Sequence, residues 1–218
     1  MELNSQLQTE FLDYAQTIDN PYIKDWLKKG GKGVIGYYCS NLPEELIHAA
    51  GFLPFRIRGT TNKDYLMSDA ILSRFNCTFV RSTLNLALNH VYDFLDGLLV
   101  ANTCDHIRRM YGIFKKKVEK AKNGDMKVFF LSLPHRYSKD AWQWTRDELD
   151  AFRNTLNTTY NIEIRDEDIH NALNLYKENT DLMRELYDFR MLDNPKLSGV
   201  DFIKISLANM SVRKEYAN

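Results

Sequence analysis

The sequence predicts an α/β protein in which a parallel sheet with flanking helices is followed by long C-terminal helices. Short apolar runs alternate with helical patterns between residues 31 and 137, an order typical of parallel strands joined by right-handed crossovers. Two long helical patterns follow at 139–160 and 166–192, each with one apolar face. The chain has 218 residues, 44% of them hydrophobic, so it is long enough to bury one sizeable core.

The N-terminal segment is predicted to form two helices. Apolar residues recur at helical spacing between Ser5 and Ile18. A second helix is expected over 22–29, because Pro21 favours a helix start and Gly30 favours a helix end. We therefore assign residues 1–30 to an N-terminal helical segment.

Four strands are expected in the next part, which we assign to one α/β domain at 31–137. The predicted strands are 34–38, 53–57, 98–101 and 128–133. The predicted helices between them are 43–50, 78–95 and 105–121. The remaining residues, 138–218, are assigned to a helical region.

Composition and charge exclude several classes of function. The 29 basic and 29 acidic residues balance, so the chain has no net field that would favour nucleic acid or an anionic membrane. The polar N-terminus does not resemble a signal peptide, and no apolar run is long enough to span a membrane. We expect a cytoplasmic protein. The lysine run at 115–117 is interpreted as a solvated helix end.

The three cysteines suggest a metal site. Cys39, Cys77 and Cys104 each lie where a predicted strand or loop gives way to a helix. Such junctions can meet in one crevice, and a helix N-terminus lowers the pKa of a thiol, which favours the metal-binding form. The alternative is three unrelated buried thiols, because no CxxC pair is present. An odd cysteine number argues against a secreted disulfide framework.

Four segments carry a family resemblance: GVIGYYCSNLPEELIHAAGFLPFRIRG, FNCTFVRS, DFLDGLLVANTCDHIRRMYG and LSLPH. In this order they resemble the N-terminal half of the 2-hydroxyacyl-CoA dehydratase family (D-component), which also includes subunits of ATP-dependent benzoyl-CoA reductases and double-cubane-cluster proteins. The resemblance runs from about Lys32 to Tyr187 and implies Rossmann-like domains with added helices. The α/β domain would then be the cluster-binding domain.

The resemblance also implies a difference in length. Family members are nearly twice as long, and their second half holds another α/β domain with a further cysteine motif. The helical region at 138–218 would lead toward that domain, which this sequence does not contain. We therefore expect either a truncated or split member, or a fragment whose site is completed by another chain.

The chemistry implied by the resemblance is that of an oxygen-sensitive 4Fe-4S cluster. Cys77 and Cys104 match the family's cysteine positions best, and Cys39 matches a recurrent one. In the family, an activator protein hydrolyses ATP and transfers one electron, which converts the substrate thioester into a ketyl radical. Thiolates are natural ligands of iron–sulfur clusters, and a cluster with three cysteine ligands keeps one iron open.

Two polar residues near the first thiol are candidates for catalysis. Glu45 follows the first strand and could act as a general base, or it could be a carboxylate stabilised by a helix N-terminus. Ser40 could hydrogen-bond a substrate oxygen, or it could cap the helix that follows.

Three further residues are candidates for substrate binding. Arg81 could hold a CoA phosphate or tune the cluster, with a surface ion pair as the alternative. Arg108, like its neighbour Arg109, fits either phosphate contacts or a helix surface. His135 follows a strand end, where a cleft could form, although a structural role is the alternative. Asp105 and His106 could orient ligands from behind the cysteines.

The sequence therefore predicts a subunit or fragment of an iron–sulfur CoA-thioester enzyme. Dehydration and ring reduction both stay open, with LSLPH favouring the reductase branch. The expected partners are an acyl-CoA thioester, a second homologous subunit in a heterodimer or homodimer, and an ATP-dependent iron–sulfur activator protein. The alternatives are a non-catalytic assembly or electron-carrier subunit, and a double-cubane-cluster reductase.

Overall fold

A four-stranded parallel sheet lies at the centre of the computed structural model, which describes residues 5–39, 41–61, 64–119, 126–195 and 197–218. The strands are β1 (Val34–Tyr37), β2 (Leu53–Arg56), β3 (Gly97–Ala101) and β4 (Lys127–Leu131). Their order is β2-β1-β3-β4, and all three pairings are parallel. The predicted α/β class is confirmed, and each predicted strand lies within two residues of an observed one.

Helices surround this sheet and continue beyond it. The helices before β3 are α1 (Ser5–Asp13), α2 (Pro21–Lys28), α3 (Glu44–Ala49), α4 (Leu66–Asp69) and α5 (Thr78–Leu88). The later ones are α6 (Asp105–Ile113), a π-helical turn (Phe114–Glu119), α7 (Lys139–Tyr160), α8 (Asp166–Asp188), α9 (Gly199–Asn209) and α10 (Lys214–Ala217). The two long C-terminal helices are confirmed. None of the helices in the described residues has the length and apolar character that crossing a membrane requires.

Apolar residues occupy both faces of the central strands, as a parallel sheet covered by helices requires. Leu98 belongs to one buried cluster and Leu99 to the other, because neighbouring side chains of a strand point to opposite faces. Gly36 in β1 is needed for this packing, since a Cβ there would lie only 2.9 Å from Ile57 Cδ1. The two clusters hold the sheet between its helical layers.

Several predicted helices end earlier than their patterns suggest, among them the one predicted over 166–192, which ends at Asp188. The helix predicted over 78–95 stops at Leu88, because His90 adopts a left-handed conformation with φ 64° that an α-helix cannot continue. The helix predicted over 105–121 keeps α-helical bonding only to Ile113 and continues as the π-helical turn. The first pattern, from Ser5, ends at Asp13 rather than near Ile18.

The strand order reverses between β1 and β3. From β1 the chain passes through α3 to β2 on one side, and it then returns through α4 and α5 to β3 on the other side of β1. Open α/β sheets bind ligands outside the carboxyl ends of the strands at such a switch point. A ligand site is therefore expected at the loops that follow β1 and β3.

A buried asparagine connects the N-terminal helices to the C-terminal part. Asn20 is fully buried, and its side chain accepts a hydrogen bond from Ile23 N at 3.1 Å at the start of α2. The same side chain donates to Ser211 Oγ at 2.8 Å. The domain boundaries at 30/31 and 137/138 stay predictions.

Candidate functional site

The three cysteines lie on loops around the switch point. Cys39 follows β1 by two residues, and Cys104 follows β3 by three residues and is the N-cap of α6. Cys77 is the N-cap of α5. Because β1 and β3 are neighbouring parallel strands, the loops carrying Cys39 and Cys104 leave the same edge of the sheet.

Two side-chain contacts join the three cysteine loops into one connected group. Cys39 Sγ lies 3.3 Å from Thr103 Oγ1, on the residue directly before Cys104. His106 Nδ1 lies 3.0 Å from Asn76 Oδ1, on the residue directly before Cys77. The segment 103–106 is therefore in contact with both other loops.

Tyr38 fixes the helix of Cys77 against the end of β1. Its ring is fully buried and packs edge-on against Phe79, with the ring centroids 5.9 Å apart. Its hydroxyl donates to Thr83 Oγ1 at 3.0 Å. Burial raises the pKa of Tyr38 well above its ordinary value, and this effect outweighs the lowering by the Thr83 hydrogen bond. The phenol therefore keeps its proton and stays the donor in its hydrogen bond to Thr83.

The backbone conformations of the cysteines suit ligand positions. Cys39 has φ 66°, a left-handed conformation that few residues other than glycine adopt and that is frequent at functional sites. Cys77 makes no side-chain capping bond, whereas Cys104 Sγ accepts a hydrogen bond from Ile107 N at 3.4 Å. Both thiols are exposed, so the alternative of three buried thiols is wrong.

The donor set fits an iron–sulfur cluster in its chemistry and accessibility. Soft thiols, two of them exposed and two at helix N-termini, are the ligands that such a cluster requires. Within the described ranges, however, no group of three or more His, Cys, Asp or Glu side chains is already arranged to hold a metal ion. The loops of Cys39 and Cys104 thus share one edge of the sheet and the loop of Cys77 is joined to them, without the three thiols forming a ready-made ligand set.

Glu45 lies in the first turn of α3, in a polar group that faces the C-terminal helices. Burial raises the pKa of its carboxyl, Glu44 raises it further, and Lys214 lowers it. Lys214 is itself buried, which lowers the pKa of its ammonium. A raised carboxyl pKa is compatible with general-base chemistry. The role of Glu45 as a general base stays a prediction. Ser40 lies outside the described residues.

Replacing Glu45 by glutamine is expected to stabilise the fold at neutral pH. A folded-state pKa above the unfolded value means that the wild type loses stability as the pH rises above the unfolded pKa and through the folded one. E45Q removes this loss, so its free energy of unfolding at pH 7 should rise by a few tenths to about 1 kcal/mol. Urea denaturation of the wild type and E45Q between pH 4 and 8 measures this difference in the free energy of unfolding. The same substitution at the exposed Glu163 is the control, and an equal rise in E163Q would contradict the burial argument.

Arg81 forms an ion pair that holds α4 against α5. Its Nε and Nη2 each donate to one carboxylate oxygen of Asp69 at 2.8 Å, and its guanidinium lies over the Tyr65 ring, 4.3 Å from the centroid. The hydrogen bonds from Arg81 hold the pKa of Asp69 below its usual range. Arg81 thus forms the ion pair that was the alternative to a phosphate contact, and the phosphate contact stays a prediction.

Arg108 and His135 lie at the surface. Arg108 Nη2 is 3.1 Å from Asp105 Oδ1 within the first turn of α6. His135 follows β4 and contributes to a cavity of about 350 Å³ that Trp144 also lines. The loop carrying His135 is tied to the loop after β3 by Asn102, which donates to Leu133 O at 3.0 Å and accepts from Leu133 N at 2.8 Å.

Sequence reasoning missed the residues that join these loops. Thr103, Asn76 and Asn102 make the connecting contacts, yet each is a short polar residue within two positions of a candidate thiol. Their signal was present in the strings NTC and FNC, because short polar side chains beside a turn often bond to neighbouring loops. The sequence strings could not predict which residue each of these three side chains contacts.

The fold and the site define a class of protein: an α/β chain whose parallel sheet carries three thiols around its switch point. Residues 39–218 match the family model described as 2-hydroxyglutaryl-CoA dehydratase, D-component. The chain belongs to this family, and the resemblance predicted from the sequence is confirmed.

Characterised relatives cover most of the chain at moderate identity. A benzoyl-CoA reductase subunit of Thauera aromatica is 29% identical over 187 residues, which are 85% of this chain and 47% of that protein. The (R)-phenyllactyl-CoA dehydratase beta subunit of Clostridium sporogenes is 28% identical, with 84% and 47% covered. The beta subunit of (R)-2-hydroxyglutaryl-CoA dehydratase from Acidaminococcus fermentans is 31% identical, with 72% and 41% covered. The matched part of the chain thus covers less than half the length of each of these relatives.

Proposed function

We propose that this chain is a subunit or fragment of an iron–sulfur CoA-thioester enzyme of the 2-hydroxyacyl-CoA dehydratase and benzoyl-CoA reductase type. The observation that carries the proposal is the joining of the three cysteine loops at the switch point through the Cys39–Thr103 and Asn76–His106 contacts. Membership of the family supports it, since the relatives are named as subunits of enzymes of both kinds.

In this proposal Cys39, Cys77 and Cys104 hold a 4Fe-4S cluster. When bound, the cluster supplies low-potential electron transfer and an iron that can act as a Lewis acid. The chain's own contribution is to favour and orient the thiolates. The N-termini of α5 and α6 place partial positive charge at Cys77 and Cys104, and Thr103 Oγ1 is within hydrogen-bond distance of Cys39 Sγ.

The proposal includes partners and a location. The partners are an acyl-CoA thioester, a second homologous subunit and an ATP-dependent iron–sulfur activator protein. The second homologous subunit is supported by the names of the relatives, which are themselves called subunits. Glu45 would serve as the general base, with Arg81, Arg108 and His135 near the substrate. A reducing cytoplasm suits the three cysteines, all of which are free.

A second candidate is a non-catalytic electron-carrier or assembly subunit. It is favoured by the absence, among the described residues, of a metal-binding group that is already assembled. A partner chain would then hold the reacting cluster. A double-cubane-cluster reductase is less favoured, because three cysteines per chain are too few unless chains share them.

An activity assay separates these candidates. The chain is purified without oxygen together with any subunit that accompanies it, and is mixed with activator, ATP, a low-potential chemical reductant as the electron source, and either a 2-hydroxyacyl-CoA or benzoyl-CoA. Chromatographic detection of the enoyl-CoA or of the ring-reduced thioester supports the proposal that the chain is part of an enzyme. A complex that contains the cluster but converts neither substrate supports the electron-carrier or assembly role instead.

A further inference from the structure

A basic cavity lies beside the loop that carries Cys77, and Asn76 is the one residue of the thiol-loop contacts that lines it. Its volume is about 360 Å³, it is open to solvent, and it is lined by residues of the 71–76 loop and of α6 with the π-helical turn. Three cations line it: Arg109, Lys116 and Lys117. No acidic side chain is among the described residues that line it.

The three cations are available for a ligand. Arg81 and Arg108 are each paired with a carboxylate, at Asp69 and Asp105. In the part of the chain that the structure describes, Arg109 and the two lysines have no such ion pair, and all three side chains are exposed. Their combined charge would favour a ligand with several negative charges.

The helical side of the cavity is formed by α6 and the π-helical turn together. Residues 109, 112 and 113 lie on one face of α6 at i, i+3 and i+4 spacing, and 116 and 117 of the π-helical turn line the same cavity. Gly112 leaves this side of the cavity open in the middle, because a Cβ added there would meet no atom within 4 Å. A ligand can therefore approach the backbone between Arg109 and the two lysines.

The opposite wall is largely apolar and leads to the thiol edge. Ile71 and Leu72 form this wall, and Ile113 adds apolar surface from the helical side. Asn76 also lines the cavity, and its side chain contacts His106 next to the thiol loops. A ligand anchored by the cations would thus have an uncharged part against apolar surface and would lie next to Cys77.

We propose that this cavity binds a nucleoside diphosphate group, with its phosphates at Arg109, Lys116 and Lys117 and its nucleoside against the Ile71–Leu72 wall. The volume is at the lower end of the range for ligand pockets, which suits a nucleotide end rather than a whole cofactor. Two sources offer this chemistry: a free nucleotide, and the nucleotide end of a CoA thioester, the latter resting on the proposed function. The π-helical turn is a further indication, since such turns are frequent at functional sites.

Calorimetric titration of the full chain with ADP, CoA, inorganic pyrophosphate and pantetheine tests the proposal. We expect ADP and CoA to bind and pantetheine, which has no phosphate, not to bind. The double variant K116E/K117E should weaken binding of both by at least about tenfold, because it replaces two attractive charges with repulsive ones. G112L should weaken it as well by filling this open position, and leucine favours the helix more than glycine does.

The matched control is K28E/K204E, which makes the same change of charge at two exposed lysines away from the cavity. It should leave binding unchanged, and circular dichroism should show all variants folded. CoA binding more tightly than ADP assigns the site to the thioester, and the reverse order assigns it to a free nucleotide.

Three results would overturn the proposal: no binding of either nucleotide, binding of pyrophosphate alone, or nucleotide binding that survives both K116E/K117E and G112L in folded protein. The titration needs no cluster. Its failure therefore leaves the cluster assignment intact, and a chain that binds nucleotides here but never binds iron contradicts only the proposed function.

Discussion

Replacing Cys77 or Cys104 by serine is expected to abolish cluster binding by the chain. After reconstitution without oxygen, the wild type should carry about four irons per chain, and each variant should carry fewer than about one. A serine hydroxyl is a much poorer ligand for cluster iron than a thiolate. Iron and acid-labile sulfide assays on the purified proteins measure the loss.

The fold should survive these two substitutions, which makes the result interpretable. Both thiols are exposed, and neither belongs to a buried cluster. S73A, at another exposed residue before α5, is the control and should keep its iron. C39S is expected to lose iron too, but Cys39 is half-buried and its family match is weaker, so it ranks third. Wild-type iron content in folded C77S and C104S would refute the ligand assignment.

Truncating a central side chain of β3 is expected to have the largest effect on stability. Leu98 and Leu99 are fully buried on opposite faces of the sheet, one in each apolar cluster. L98A and L99A should each lower the free energy of unfolding by about 2–5 kcal/mol, the range for leucine-to-alanine changes in a packed core. Urea denaturation followed by circular dichroism measures this loss.

A matched truncation on the surface isolates the effect of burial. Leu173 in α8 is 50% exposed, so L173A should cost less than about 1 kcal/mol. Equal losses in L173A and L99A would contradict the two-sided core. Because Thr103 and Cys104 follow β3 directly, L99A should also lower cluster occupancy at temperatures near its unfolding midpoint.

The strands and long helices could be predicted because their signals are local. Apolar runs bounded by turn residues gave β1 to β4, and helical spacing gave α7 and α8. The end of α5 could not be predicted, because its termination depends on the left-handed conformation of His90 in a sequence that otherwise continues the apolar pattern. The four-residue helix α4 is too short to leave a periodic signal.

The candidate site was predictable in its thiols and not in its connections. The sequence placed each cysteine where a strand or a loop gives way to a helix, and the structure puts their loops together. The partner of Arg81 could not be predicted, since Asp69 lies twelve residues away on another helix. The lysine run at 115–117 is exposed, as a solvated helix end should be, but the cavity beside it depends on the 71–76 loop, which is distant in sequence.

The most direct test of the central claim, that Cys39, Cys77 and Cys104 hold one cluster, is Mössbauer spectroscopy of the wild-type chain reconstituted with ⁵⁷Fe without oxygen. Our account predicts the spectrum of a single 4Fe-4S cluster, with about four irons and four sulfides per chain. A folded chain that stays free of iron under these conditions would contradict it.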